Sequence, residues 1–278
     1  MRTRHTLVVR ITCMGGLVAA FGSAAAAGAD EPPEQDSPVR YLLGVAVRNA
    51  SEYDGAQARE TRLRPVWAAK IGRVRITTSG GSALLGFGRD GAGAGASTQL
   101  IDNAKWRLGV SARIDSGRDS GDASTTRGLP DVRRTLRAKL YASYSLTSDW
   151  TVGMSLSQDV LGRHGGLTAG LDTGYRLYRS ESTEWTAGVG LTAANATNLR
   201  SYFGVPASAV AASGKPAYEP GAGLRDVSAG VGFKHAMSKH WFVFGGAGAS
   251  RLMGPAADSP LVQKRGSASL QVGVAWRN

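Results

Sequence analysis

Leu167-Thr168-Ala169-Gly170-Leu171-Asp172-Thr173-Gly174-Tyr175-Arg176-Leu177 changes character at every step. The odd positions read Leu, Ala, Leu, Thr, Tyr, Leu, and the even ones Thr, Gly, Asp, Gly, Arg. Successive side chains of a strand point to opposite faces, so this is a ribbon with one apolar and one polar side. The same period runs outward in both directions. Upstream, Trp150, Val152, Met154 and Leu156 alternate with Thr151, Gly153, Ser155 and Ser157. Before them Leu136, Ala138, Leu140, Ala142 and Tyr144 alternate with Arg137, Lys139, Tyr141 and Ser143. Downstream, Leu270, Val272, Val274 and Trp276 alternate with Gln271, Gly273 and Ala275.

A soluble β-sandwich alternates too, so three further features decide. The segments run about ten to fifteen residues, the length of a tilted membrane-spanning strand rather than the usual five or six. Tight turns (147–149, 180–183, 238–240) alternate with longer loops near 116–131, 195–222 and 253–265. Trp106, Trp150, Trp185, Trp241 and Trp276 fall at strand ends on the tight-turn side, where an interfacial girdle belongs. The segments are 40–49, 61–70, 72–79, 82–89, 105–115, 132–146, 149–160, 164–178, 183–194, 224–236, 240–252 and 266–277. The reading is all-β: an up-and-down antiparallel transmembrane β-barrel of about twelve strands. Ten is the alternative count, because the pair around Gly80-Gly81 is weakly marked. With an even number, both termini lie in the periplasm.

The N-terminus predicts export. Arg2, Arg4 and Arg10 precede an apolar stretch, Ile11 to Phe21, that is too short to cross a bilayer as a helix. Ser23-Ala24-Ala25-Ala26-Ala27-Gly28-Ala29 is a small-residue cleavage site, so residues 1–29 are read as a cleaved signal peptide and 30–278 as one barrel domain. No run of 18 apolar residues follows, which excludes a helical membrane protein and directs the chain to the outer membrane of a Gram-negative envelope. The sole cysteine, Cys13, leaves with the signal, excluding thiol nucleophiles and cysteine metal sites.

Glycine, at 38 of 278 residues, is about twice its usual share and lies mostly on the polar parity. Of 33 basic residues, three leave with the signal, so 30 face 21 acidic ones. An aromatic–basic platform for nucleic acid is absent. The polar parity must face the lumen, because a charge at mid-bilayer costs about 2–4 kcal/mol. That places Arg64, Arg75, Arg113, Arg133, Arg137 and Lys139 on a basic lumen wall, with Arg137 and Lys139 deepest. The alternatives are an open, anion-preferring lumen and one closed by the inward-folding loop 195–222, whose arginines meet carboxylates such as Asp226 or Asp258. Closure is favoured because a twelve-strand barrel is small.

Motifs for chemistry are weak. Gly86-Phe87-Gly88-Arg89-Asp90-Gly91 fits a dinucleotide-loop spacing but opens no helix. His164 near the rim, with Ser155, Ser157 and Asp159 on the adjacent strand, is the one hydrolase constellation, and a solvated rim histidine is the simpler reading. His235 and His240 flank a tight turn. The expectation is a non-enzymatic protein with no cofactor and no metal. Asn49-Ala50-Ser51 and Asn195-Ala196-Thr197 read as polar loop residues.

Tyr202-Phe203-Gly204-Val205, Ser213-Gly214-Lys215-Pro216-Ala217-Tyr218 and Gly221-Ala222-Gly223-Leu224-Arg225-Asp226-Val227 resemble the MipA/OmpV family of MltA-interacting outer-membrane proteins. Ser250 to Gly254, Ala257 to Val262 and Gly44 to Gly55 carry the same resemblance. It singles out Tyr202, Phe203, Gly204, Pro216, Tyr218, Gly223 and Asp226 as the characteristic loop. It implies an outer-membrane barrel in contact with lipid, a scaffold joining a lytic transglycosylase to a murein polymerase, and no catalytic residues. Other members of the family suggest adhesion through surface loops. The family usually ends in an aromatic residue, whereas this chain ends Trp276-Arg277-Asn278. With turns this short, a periplasmic partner would dock on the tail 30–37 and on segment 89–104, read as joining the fourth and fifth strands on the periplasmic side.

Overall fold

The structure, a computed structural model, describes residues 39–78 and 93–278. The alternating segments form β1 (Val39–Ser51), β2 (Arg59–Ile71), β3 (Val74–Thr77), β4 (Gly95–Asp102), β5 (Trp106–Asp115), β6 (Thr135–Ser145), β7 (Trp150–Asp159), β8 (Leu167–Arg179), β9 (Thr183–Ala194), β10 (Gly223–Ala236), β11 (Trp241–Leu252) and β12 (Gly266–Arg277). Each strand is antiparallel to its chain neighbours, and β1 pairs with β12 to close a twelve-strand barrel. Among the described residues, short α-helices occur in the long connections: α1 (Ala196–Phe203), α2 (Val210–Ser213) and α3 (Gly254–Ala257).

Register makes the two faces continuous around the barrel, because directly paired residues share a face. Leu43 opposes Trp67 and Trp276, Leu171 opposes Met154 and Leu191, and Leu270 opposes Ala247. More than thirty large apolar side chains are exposed, Leu63 at 71% and Leu270 at 60% among them. Leaving each such side chain in water forfeits about 1.5–3 kcal/mol, so this outer belt is a lipid-facing surface. A closed barrel is one of the two backbone arrangements that satisfy every peptide group within hydrocarbon.

The connections at one end are tight, at 72–73, 103–105, 146–149, 180–182 and 237–240. Those at the other end are long, at 116–134, 195–222 and 253–265. By the rule of short periplasmic turns and longer outer loops, the tight end is periplasmic, and the start of β1 and the end of β12 lie there. Trp106, Trp150, Trp185 and Trp241 all stand exposed at that end, and Tyr41 packs on Trp276 with ring centroids 5.6 Å apart. Asn278 closes the seam: its Oδ1 accepts from the Tyr41 N–H at 2.8 Å and its Nδ2 donates to the Val39 carbonyl at 3.0 Å.

The lumen is packed at its periplasmic end. Leu42, Ala46, Val66, Phe242, Phe244 and Ala275, all on inward parity, form one buried apolar cluster. Glycine makes room for the rings. A Cβ on Gly273 would lie 2.6 Å from Phe244 Cζ, and one on Gly109 would strike the ring of Tyr141, its cross-strand partner. Aromatic rings laid over cross-strand glycines pin the register of strands that are otherwise rich in small residues.

Three expectations change. The predicted fourth strand, 82–89, lies outside the described residues, and the strand paired with β3 is β4, with Val74 opposite Thr98. Segment 89–104 is therefore no periplasmic loop: 95–102 is strand, and only the turn 103–105 reaches the periplasmic rim. Its glycine–alanine stretch has too little apolar–polar contrast to mark a strand. β6 also begins at Thr135 rather than 132, which removes Arg133 from the wall.

A capped lumen with one basic wall

The predicted wall is largely present. Cross-strand register carries one inward face through Arg64, Arg75, Arg113 and Lys139 on β2, β3, β5 and β6. The opposite wall, from β7 to β12, presents small residues such as Ser155, Gly170, Gly190, Gly230 and Gly248. Arg133 is exposed in the loop before β6, because the strand that would turn it inward begins three residues later than the alternation suggests, at Thr135 rather than 132. Arg48 and Arg62 belong to the inward set and escaped the sequence reading. Their signal was parity: both are even-numbered, like the inward Leu42, Ala46 and Arg64.

Arg137 faces inward but does not stand deepest. It lies near the outer end of β6 with a side chain 2% exposed. Its guanidinium donates to the Gly165 carbonyl at 2.8 Å, the Ser157 carbonyl at 2.9 Å, the Gly166 carbonyl at 3.2 Å and Ser157 Oγ at 3.1 Å. Those acceptors belong to β7 and the connection that follows it, so Arg137 latches that loop to the wall. Beside it, Asp159 accepts from the Thr135 hydroxyl and from the backbone N–H groups of Leu161 and Gly165. These bonds redistribute the supposed hydrolase group. Ser157 Oγ and Asp159 are engaged in the latch, and the exposed His164 contributes its carbonyl, which accepts from Ser201 Oγ at 2.7 Å. The glycine motif 86–91 lies outside the described residues.

The characteristic loop builds a cap. Asn195 caps α1, its Oδ1 accepting from the Asn198 N–H at 3.0 Å. The helix drives Leu199 and Phe203 into a core with Leu252, Ala256 and Ala257, while Val205 and Ala209 join Leu129 and Leu261 in a second. Leu199 and Val205 are fully buried and Leu261 is 2% exposed. The connections after β5, β9 and β11 thus share apolar cores that no single loop could make. Backbone bonds between Val205 and Tyr218, 2.9 Å in each direction, fold the long loop on itself. The Tyr218 hydroxyl donates to the Pro255 carbonyl at 2.7 Å, and Ser259 Oγ donates to the Phe203 carbonyl at 2.5 Å. Gly204 is forced by crowding, since a Cβ there would strike the Arg200 carbonyl. Pro216 is exposed, and Gly223 opens β10 against Ala194.

The cap reaches across the mouth. Tyr202, between β9 and β10, donates its hydroxyl to Asp115 at the end of β5 at 3.3 Å, and its carbonyl accepts from Arg118 at 3.0 Å. Burial, reinforced by the Asp115 charge, holds the Tyr202 hydroxyl well above the ordinary tyrosine range, so it is a neutral donor. Asp226 is 1% exposed and paired with its neighbour Arg225 at 2.7 Å, while Asp258 pairs with Arg265 at 3.0 Å. Neither pairs with the basic wall; the carboxylate that meets it is Asp115, 3.9 Å from both Arg113 and Arg137, and the cap above is held by its apolar cores.

Fold and outer belt together define a membrane β-barrel, and its twelve strands, tight periplasmic turns and tryptophan girdle are those of an outer-membrane protein. The chain belongs to the family described as MltA-interacting protein MipA, whose model matches residues 43–278. A comparison with curated proteins gives no match. Among solved structures the chain is similar to the KdgM porin, at 11% identity and a TM-score of 0.39 over 84% of this chain and 98% of that one. It is similar to the NanC porin at 10% identity and a TM-score of 0.41, over 84% and 98%. The anion-selective porin from Comamonas acidovorans gives 11% identity and 0.38, over 86% and 98%.

Proposed function

We propose that this barrel is a non-enzymatic outer-membrane platform that holds murein-processing enzymes, a lytic transglycosylase first among them, at the periplasmic face. The observation that carries the reading is the shared cap: three loops spend their apolar residues on closing the outer mouth. A barrel closed in this way serves through its surfaces, and the family's description as MltA-interacting gives the kind of partner. With segment 89–104 withdrawn as a docking loop, the periplasmic rim is the surface at hand. Its turns and strand ends expose Arg73, Lys105, Arg179, Lys239 and Arg277, against the acids Asp102, Asp149 and Glu181, of which Asp102 and Asp149 lie beside Arg107 and Arg176. A partner with an acidic face would be steered to such a rim, and the contact would weaken with salt.

The test is affinity capture from solubilised envelope. The bait is either the wild-type barrel or a variant carrying R73E, K105E, R179E and K239E, each shown to be folded by its heat-modifiable migration. The expected result is a lytic transglycosylase recovered with the wild type and lost with the variant. Equal recovery would remove the rim as the docking surface, and recovery by neither would overturn the platform.

A further inference from the structure

Beneath the cap, on β1 and β2, Arg48 and Arg62 are direct cross-strand partners and Arg64 follows on the same inward face. Direct partners stand about 5 Å apart at Cβ and diagonal ones about 7 Å, within reach of one another's guanidinium groups. The charges of Arg48 and Arg62 both bear on Arg64, with Glu60 opposing them. Glu60 is itself paired with Arg62, and Asp54, which acts on Arg48, lies in the loop above. The neighbour of Arg48 on its other side is Gln271 of β12, whose Nε2 is buried with no hydrogen-bond partner. Three cations and an unsatisfied amide donor therefore converge on one patch of the wall. Repulsion and an orphaned donor both cost stability, and one ligand relieves both.

We propose that Arg48, Arg62, Arg64 and Gln271 form a binding site for a small, multiply charged oxyanion inside the lumen. Guanidinium forks match the paired oxygens of phosphate and carboxylate groups, and the Gln271 amide supplies a further donor to the same oxygens. The inward parity of β12, β1 and β2 sets the donors on three adjacent strands, so the site is held by the barrel wall and not by a loop. The apolar cluster of Leu42, Val66, Phe242 and Phe244 below it keeps the site at the outer half of the lumen.

The test uses the full barrel in detergent at low salt, titrated with inorganic phosphate and separately with citrate by calorimetry, with sodium chloride of matched ionic strength as control. Saturable binding of one anion per barrel is expected, with chloride giving none. R64Q and R48Q should each weaken it about tenfold or more, and R40Q, on the same inward parity but at the periplasmic end, should leave it unchanged. Phosphate binding with no citrate binding would assign the site to compact tetrahedral anions, and the reverse to carboxylates; either supports it. Thermal unfolding supplies a second readout. Without phosphate, R64Q should melt no lower than wild type, because it removes a repelling charge, and phosphate should raise the midpoint of wild type and R40Q by more than that of R64Q. Absence of saturable binding by both anions, or binding that R48Q and R64Q leave intact, would overturn the proposal. So would an R64Q barrel that melts lower without phosphate, because the arginine would then be a structural one.

Discussion

At Arg137 a single buried side chain fastens a loop to the barrel wall. Its acceptors include the Ser157, Gly165 and Gly166 carbonyls of β7 and the connection after it. Replacing it by methionine keeps much of the volume and removes its charge-assisted bonds. Asn198 Nδ2 still serves the Gly165 carbonyl and the Asp159 N–H the Gly166 carbonyl, so the loss should cost about 1.5–3 kcal/mol. The check is the urea midpoint in detergent, with proteolysis of residues 160–166; an unchanged midpoint would refute the latch. Tyr202 works more gently. Y202F removes one hydrogen bond to Asp115 and should cost about 0.5–1.5 kcal/mol of cap stability. Because its hydroxyl titrates higher in the folded cap than in an unfolded chain, the stability it provides is complete below about pH 10. It is lost as the pH rises above that value toward the folded pKa. Protease protection of the cap should therefore hold from neutral pH to about 10 and decline beyond it in wild type, and the decline should be weaker in Y202F. None of this was legible in the chain. Arg137 reads as one more inward cation, and its acceptors are backbone atoms, which carry no residue identity.

Elements differ in how plainly the sequence declares them. The ribbon from Leu167 to Leu177 alternates without a break because one side meets lipid and the other the lumen, and the structure places it in β8 as read. β4 is the opposite case. Gly95-Ala96-Ser97-Thr98 offers no contrast between faces, so register with β3 and β5 fixes it, and that information is not local. The cap was invisible for a third reason: Leu129, Leu199, Val205 and Leu261 lie in three connections and share no period. The resemblance pointed to the loop but not to what it does. Two predictions belong here. L261A should loosen the cap by about 2–5 kcal/mol and expose residues 116–134 to protease, while the barrel keeps its heat-modifiable migration. G273V should destabilise the barrel itself by about 1–3 kcal/mol, because the added side chain meets the Phe244 ring, and unfolding in urea would register it.

For the molecule as a whole, the apolar residues divide between three tasks: the outer belt against lipid, the cluster at the periplasmic end of the lumen, and the cap. The second and third both oppose passage, and between them lies a wall of arginines facing glycines and serines. Such an arrangement predicts a barrel closed at rest that acts at its rim or within its lumen. The most direct measurement is planar-bilayer conductance of the wild-type barrel beside a variant in which residues 196–217 are replaced by a short Gly-Ser turn. The account predicts a silent wild type and, once the cap is removed, a small conductance that prefers anions. A wild type that conducts steadily, at the level of the shortened variant, would contradict it.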